Sequence, residues 1–295
     1  MNTSPAHTMR VNTFVKIRDM IALIRPHNCL IALTSVLAGA FLASGQIGRD
    51  AALASVMAFF VCAGAYVLND LYDVKSDAIN KPGRPLAAGR LSRESAGAFL
   101  ICLWAPGLGF AILGGRDTVL FAVGWMAALW LYSWKLKALG IAGHIAVSAV
   151  ASSGFLLGAL AGGDGVAGLI PFSIALLFHL AREIAKGVSD VRGDRAAGTA
   201  TLAVRLGAHR SLKAALWCIG GIILLSLLPV VFHLYGYLYL LPVLLVVYPL
   251  LVTCVLKIVR AGSDAAALER ASAAVATLLK AAMPAGLVAF FLAGV

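Results

Sequence analysis

Charge is scarce in this chain. Only 13% of its 295 residues are Asp, Glu, Lys or Arg, about half the share usual in a soluble globular domain. With 61% of residues hydrophobic and a mean hydropathy of +0.93, a soluble fold is excluded. Acids are the scarcest charged type, 13 Asp and Glu against 24 Lys and Arg, for a formal net charge of +11. Cysteine is sparse too. Cys29, Cys62, Cys102, Cys218 and Cys254 all fall within apolar runs, their number is odd and no CxxC occurs. That pattern argues against a disulfide framework or a zinc site and makes them small core residues. No residue-level internal repeat is evident, so residues 21–295 read as one transmembrane domain after a polar, basic segment 1–20.

Long apolar runs separated by short polar segments are what the chain does contain. Nine spans are expected, at 21–45, 51–69, 95–114, 118–134, 141–162, 168–187, 211–233, 236–257 and 273–294. Most approach the ~20 residues a helix needs to cross the hydrocarbon. The expectation is an all-α, multi-pass membrane protein. The first run begins Arg25-Pro26-His27-Asn28 and is too long for a signal-peptide core, so it is read as an uncleaved helix. With alternating spans, all Lys and Arg except Arg49, Arg116 and Lys280 fall on one side. That asymmetry places the basic side in the cytoplasm. The positive excess is therefore largely topological, and no nucleic-acid partner is implied.

The scarce acids are concentrated. Asn69-Asp70-Leu71-Tyr72-Asp73-Val74-Lys75-Ser76-Asp77 carries Asn69, Asp73 and Asp77 at i, i+4 and i+8. On a helix that spacing forms a stripe drifting only about 40° per step. Oxygen-bearing side chains in such a stripe suit Mg²⁺, a hard cation usually shared with a substrate's phosphates. Carboxylates beside lipid read as functional by default. The segment Arg182-Glu183-Ile184-Ala185-Lys186-Gly187-Val188-Ser189-Asp190-Val191-Arg192-Gly193-Asp194-Arg195 carries Asp190 and Asp194 at i, i+4. The two segments follow the second and sixth spans, so four crossings bring both to the same side. Together the stripes are candidates to hold Mg²⁺ ions that bridge a diphosphate and stabilise it as a leaving group.

Asn69-Asp70-x-x-Asp73-x-x-x-Asp77, followed by Ile79-Asn80-Lys81-Pro82-Gly83-Arg84-Pro85-Leu86, resembles the first signature of the UbiA superfamily of intramembrane prenyltransferases. Arg182-Glu183 through Asp190-x-x-x-Asp194-Arg195, then Gly198-Thr199 and Leu202, resembles the second. Arg25-Pro26-x-Asn28-Cys29, Ile79-Asn80-Lys81-Pro82 and Arg182-Glu183-Ile184 look most like the digeranylgeranylglyceryl phosphate synthases of ether-lipid synthesis. The resemblance implies a helical bundle around a central cavity open to the cytoplasmic side. It also implies Mg²⁺-dependent prenyl transfer from an allylic diphosphate, with release of diphosphate. The acceptor is a lipid, geranylgeranylglyceryl phosphate, or alternatively an aromatic quinone precursor such as 4-hydroxybenzoate. Asn69, Asp73, Asp77, Asp190 and Asp194 become the candidate metal ligands, and the four acids among them the catalytic set. One departure stands out: where the synthases it resembles usually carry an Asp, this chain has Gly187.

Basic groups are expected to complete the diphosphate site: Lys81, Arg84, Lys135, Lys137, Arg182 and Lys186. Guanidinium groups grip phosphate as a fork, lysines as point charges. Tyr132 is three residues from Lys135 and five from Lys137, which leaves open which lysine touches phosphate. Lys75 and Arg192 read as positive-inside anchors. Arg25 and Asn28 are candidates for the acceptor's polar head, or else for an interfacial anchor and helix cap. Lys280 either faces the cavity or snorkels to the interface. His144 and His179 read as helix-packing residues, and most aromatics as packing or interface anchors. A reading from another class, an ion-coupled transporter, would place ionisable groups near the bilayer midplane. Here the acids sit at helix ends beside basic loops.

Overall fold

The computed structural model describes residues 5–294, with side chains from Val15 onward, and contains no strand among them. Residues 1–4 of the expected N-terminal segment lie outside the described residues. The helices are α1 (Pro5–Ile24), α2 (Pro26–Ser44), α3 (Arg49–Asn80), α4 (Arg93–Leu113), α5 (Arg116–Trp134), α6 (Ile141–Ser152), α7 (Gly154–Ala161), α8 (Leu169–Ser189), α9 (Val191–Ala196) and α10 (Leu202–Val231). Two more follow, α11 (Tyr237–Ala261, with a π-helical turn at Val243–Val247) and α12 (Ala265–Leu292).

Every expected span is present as a helix or a pair of helices, and eight are long and apolar enough to cross a membrane. The fourth, α5, forms over 19 residues but is not among those eight. Arg116, Asp117 and its Trp and Tyr residues make it less apolar. The first expected span, drawn from 21, is shortened by a break. Arg25 adopts the left-handed conformation (φ 48°) and Pro26 opens α2, which suits a residue with no N–H to satisfy. The second runs longer than expected: α3 continues for 32 residues, carrying the whole acidic stripe beyond the apolar run. Asp190 and Asp194 do not share one continuous helix, because the backbone leaves helical geometry at Asp190 (φ −95°, ψ 1°).

Small residues set the closest helix approach. A Cβ on Gly158 would strike the Val36 backbone, and one on Gly39 the Phe155 carbonyl. Backbone contact of this kind is how helices pack where lipid provides no hydrophobic drive between them. Buried side chains gather in one large cluster spread over α8, α10, α11 and α12, and smaller ones around α2–α5 and beneath α1.

The five basic segments meet at one end of the bundle. Arg90 forks onto Asp19 (2.9 and 3.2 Å), Lys137 reaches Asp73 (2.7 Å) and Lys81 pairs with Asp190. Arg205 donates to the Ala138 carbonyl (3.0 Å), and His209 lies 3.4 Å from the Gly262 carbonyl. The parity inferred from span counting is thus realised in space.

The two acidic segments are clamped together by Asn80. Its Nδ2 donates to the Asp190 carbonyl (2.7 Å), and its Oδ1 accepts from the Gly193 N–H (2.9 Å). One turn earlier Ser76 Oγ donates to Asp194 (2.9 Å). The approach is close enough to require glycine: a Cβ on Gly193 would lie 2.5 Å from the Ser76 carbonyl oxygen. Gly193→Ala is expected to cost about 1–3 kcal/mol from overpacking and to push the segments apart. Thermal unfolding in detergent and crosslinking between positions 76 and 194 would read this; unchanged stability and crosslinking would refute the clamp.

Candidate functional site

Asp73, Asp77, Asp190 and Asp194 line a single small cavity, together with Ser76, Lys81, Arg84, Tyr132, Lys137, His144, Glu183, Lys186, Gly187 and Thr201. The acids come from α3, from the break after α8 and from α9; the cations come from the loops after α3 and α5 and from α8. Each carboxylate is engaged. Asp73 accepts both contacts of the Lys137 ammonium and one from Asn69 Nδ2 (2.8 Å). Asp77 holds Arg84 at 2.5 Å, Asp190 holds Lys81, and Asp194 holds Ser76.

Burial shapes the charges at this mouth. It favours the neutral form of Asp194 and raises its pKa above the usual carboxylate value, against Lys137 and Ser76. It also lowers Lys81, with Lys186 adding repulsion that Asp190 only partly offsets. At Lys137 burial acts the same way, but Asp73 outweighs it and the ammonium titrates above the usual lysine value.

Asp70, which the sequence reading left outside the site, supports it from behind. It is 3% exposed and accepts from Arg25 (2.5 Å) and Arg84 (3.2 Å), so that Arg84 bridges Asp70 and Asp77. Burying these charges is costly unless they are paired and hydrogen-bonded, and this chain Arg25–Asp70–Arg84–Asp77 pairs all four. It joins the start of α2 to the acidic end of α3.

A larger cavity adjoins the acid pocket, with about 1210 Å³ of empty space when its part open to the outside is included. Tyr132, Glu183 and Lys186 line both. Its polar end holds Arg25, Asn28, Asn69, Arg182 and Lys280, and its apolar walls include Ala58, Val61, Trp125, Leu129 and Val147. Asn28 donates to the Tyr66 hydroxyl (2.8 Å), and Arg25 stacks 4.5 Å above the Tyr66 ring. Arg182 and Lys186 flank Glu183 at 2.8 and 3.2 Å.

The structure therefore separates the two lysines that the sequence left open. Lys137 enters the acid pocket; Lys135 is exposed and lies over Trp134. Lys75 and Arg192 are also exposed. The acidic stripe is intact, with Asn69 at the border of the large cavity and Asp73 and Asp77 in the small one. Among the described residues no three His, Cys, Asp or Glu side chains are arranged as metal ligands; Lys137, Arg84 and Lys81 pair with Asp73, Asp77 and Asp190. The oxygen donors facing the cavity still fit Mg²⁺ chemically.

Sequence reasoning passed over His144, taken as a packing residue. It is 7% exposed, lines the acid pocket, and neither ring nitrogen has a hydrogen-bond partner. It faces Gly187, whose missing Cβ would sit 3.6 Å from the imidazole. Ser76 and Thr201 were also unsuspected, and no sequence pattern marks them.

The chain matches the family model described as the UbiA prenyltransferase family over residues 32–291. It is 35% identical to the digeranylgeranylglyceryl phosphate synthase of Methanopyrus kandleri, covering 92% of this chain and 98% of that protein. Against the same-named protein of Hyperthermus butylicus it is 34% identical, covering 93% and 96%. Its fold resembles a solved digeranylgeranylglyceryl phosphate synthase structure with a TM-score of 0.66 at 29% identity, covering 94% of this chain and 98% of that one. It also resembles a UbiA homolog from Archaeoglobus fulgidus bound to GPP and Mg²⁺, with a TM-score of 0.67 at 22% identity and coverage of 92% and 99%.

An Asp at position 187 would have room and a partner. Gly187→Asp is expected to fold with a thermal midpoint within a few degrees of wild type, since aspartate is better than glycine in a helix interior by about 0.3 kcal/mol and nothing lies closer to its Cβ than the His144 ring at 3.6 Å. In that background His144→Ala should cost about 1 kcal/mol more than in wild type. Equal costs in the two backgrounds would show that positions 144 and 187 do not interact.

Proposed function

This chain belongs to the UbiA prenyltransferase family, and from that premise we propose that it transfers a geranylgeranyl group from its allylic diphosphate to geranylgeranylglyceryl phosphate, releasing diphosphate. One observation carries the reading. Two acid-bearing segments meet in a pocket ringed by Lys81, Arg84 and Lys137, and that pocket shares Tyr132, Glu183 and Lys186 with a larger cavity whose remaining lining is mostly apolar. The named relatives supply the acceptor.

Asn69, Asp73, Asp77, Asp190 and Asp194 are the residues that would hold Mg²⁺, whose contribution when bound is to neutralise the diphosphate and improve it as a leaving group. The chain's own cations do the rest. Lys137 and Lys81 are poised on carboxylates at the cavity wall and turn to the diphosphate oxygens; Arg84, pinned by Asp70 and Asp77, offers a fixed fork. Lys186 lines both cavities, while Arg182 lines the large one. Lys135, directed away, takes no part. Transfer breaks the bond from the allylic carbon to diphosphate oxygen, and the electron pair leaves with the diphosphate. The acceptor hydroxyl oxygen forms the new bond to that carbon, and its proton goes to the released diphosphate. Preorganised charge at the leaving group supplies the stabilisation. The apolar walls around Val61, Trp125 and Leu129 keep water from the allylic carbon.

The site end of the bundle faces the cytoplasm in this reading, supported by the concentration of Lys and Arg there. A midplane coupling site of transporter type finds no support in acids gathered at helix ends.

Purified protein given Mg²⁺, labelled geranylgeranyl diphosphate and a panel of acceptors tests the proposal. Product is expected with geranylgeranylglyceryl phosphate, and transfer to 4-hydroxybenzoate alone would overturn the acceptor. Asp73→Asn and Asp194→Asn should each lower kcat by about 10²–10³-fold, the scale of losing one preorganised charge-stabilising group. Lys137→Met should weaken donor binding at least tenfold, while Lys135→Met stays within twofold of wild type. Equal effects of the two lysine variants would refute the assignment of Lys137.

A further inference from the structure

Lys280 is the one lysine placed well inside an expected span, on α12, and the site described above does not use it. Lysine there is costly and needs a partner. Among the described residues it makes no ion pair with any carboxylate. Its polar contact is another base, His27 Nε2. Arg25 and Arg182 are near enough to both to add repulsion. Their carboxylates do not extend to this pair: Asp70 is taken by Arg25 and Arg84, and Glu183 by Arg182 and Lys186. Arg182 meanwhile keeps a buried Nε donor with no acceptor. His27 belongs to the first turn of α2, where the helix dipole adds positive potential. Lys280, Arg182 and Arg25 all line the large cavity. Arg25, Arg182 and Lys280 thus share one cavity, with the exposed His27 beside Lys280, and among the described residues no carboxylate pairs with Lys280 or His27.

Resting on the proposed transfer reaction, we propose that Lys280, His27 and Arg182 form a second anion site, separate from the acid pocket, that binds the phosphomonoester head of the acceptor lipid. A phosphomonoester brings up to two negative charges and three acceptor oxygens, enough for an ammonium, an imidazole and a guanidinium N–H at once. The apolar surroundings agree. Met283, one turn along α12 from Lys280, lines both the large cavity and a second, mostly apolar cavity walled by Phe155, Phe178, Tyr239 and Phe290. An acceptor held by its phosphate at Lys280 has its own slot for its tail. The Val61–Trp125–Leu129 wall is left to the donor.

Lys280→Met in full-length protein is the test, with Lys280→Arg as the charge-retaining control. Met should raise KM for geranylgeranylglyceryl phosphate at least tenfold, with KM for geranylgeranyl diphosphate within twofold; Arg should stay within about threefold on both. Thermal stabilisation in detergent reads the site without turnover. Wild type should be stabilised by geranylgeranylglyceryl phosphate more than by geranylgeranylglycerol, and Lys280→Met should lose that difference. Equal stabilisation by phosphatidylglycerol would make the cluster an anchor for bulk anionic lipid and overturn the proposal, as would an unchanged acceptor KM in Lys280→Met. Stabilisation by inorganic phosphate alone, with none by the lipid, would also overturn it. If wild type transfers to no glycerol lipid yet shows the Lys280-dependent phosphate effect, the proposed reaction fails and the anion site stands.

Discussion

The Asn80 side chain is the joint on which the site depends. Its amide oxygen takes the Gly193 N–H where α8 gives way to α9, and its Nδ2 adds a second hydrogen bond to the Asp190 carbonyl, which already accepts from the Asp194 N–H. A break in a helix at the edge of a membrane leaves polar backbone groups that must find partners. Here the partner belongs to the other acidic segment. The same device that repairs the break therefore sets the distance between the two sets of carboxylates, and Gly193 is what lets them approach.

Around that joint the structure solves an electrostatic problem. Four aspartates, with Glu183 beside them, face one small space and repel one another, and burial penalises each. Lys137, Arg84 and Lys81 each take one acid, with Ser76 on the fourth. Two of the three cations are lysines on flexible stems and one is an arginine fixed between two aspartates, and this division matters for function. A lysine moves from carboxylate to phosphate by turning its stem, whereas a guanidinium locked in place presents a surface whose geometry is already set. Within the proposed reaction, the pairing that keeps the acids stable without substrate is also the store of positive charge that meets the diphosphate.

Much of this was legible in the residues. Apolar runs of about 20 residues can satisfy their backbone in lipid only as helices, so the spans followed from hydropathy. Counting them placed the two acidic segments on one side. The exceptions have local causes. The α1–α2 break follows from Pro26 and a left-handed Arg25, inside what reads as one apolar run. The extension of α3 to Asn80 was hidden because polar residues end the hydropathy signal without ending the helix. Asp70 passed unnoticed because it falls off the i, i+4 stripe, and only the fold shows it between Arg25 and Arg84. His144 looked like packing because a lone histidine in an apolar helix carries no pattern; its place opposite Gly187 depends on how α6 lies against α8.

The sequence by itself determined that this chain is a helical membrane protein, which end of it is basic, and that its few acids lie in two short segments sharing that end. Those properties are local or additive: hydropathy, periodicity, parity and charge count do not depend on which helices touch. Only the tertiary structure decided that Lys137 rather than Lys135 meets Asp73, that Arg84 is held between Asp70 and Asp77, and that Lys280 meets His27 with no acid to neutralise it. Each of these is a contact between residues far apart in the chain. Contacts of that kind are set by the rotation of each helix about its axis and by small residues such as Gly39, Gly158 and Gly193, which determine how closely backbones approach.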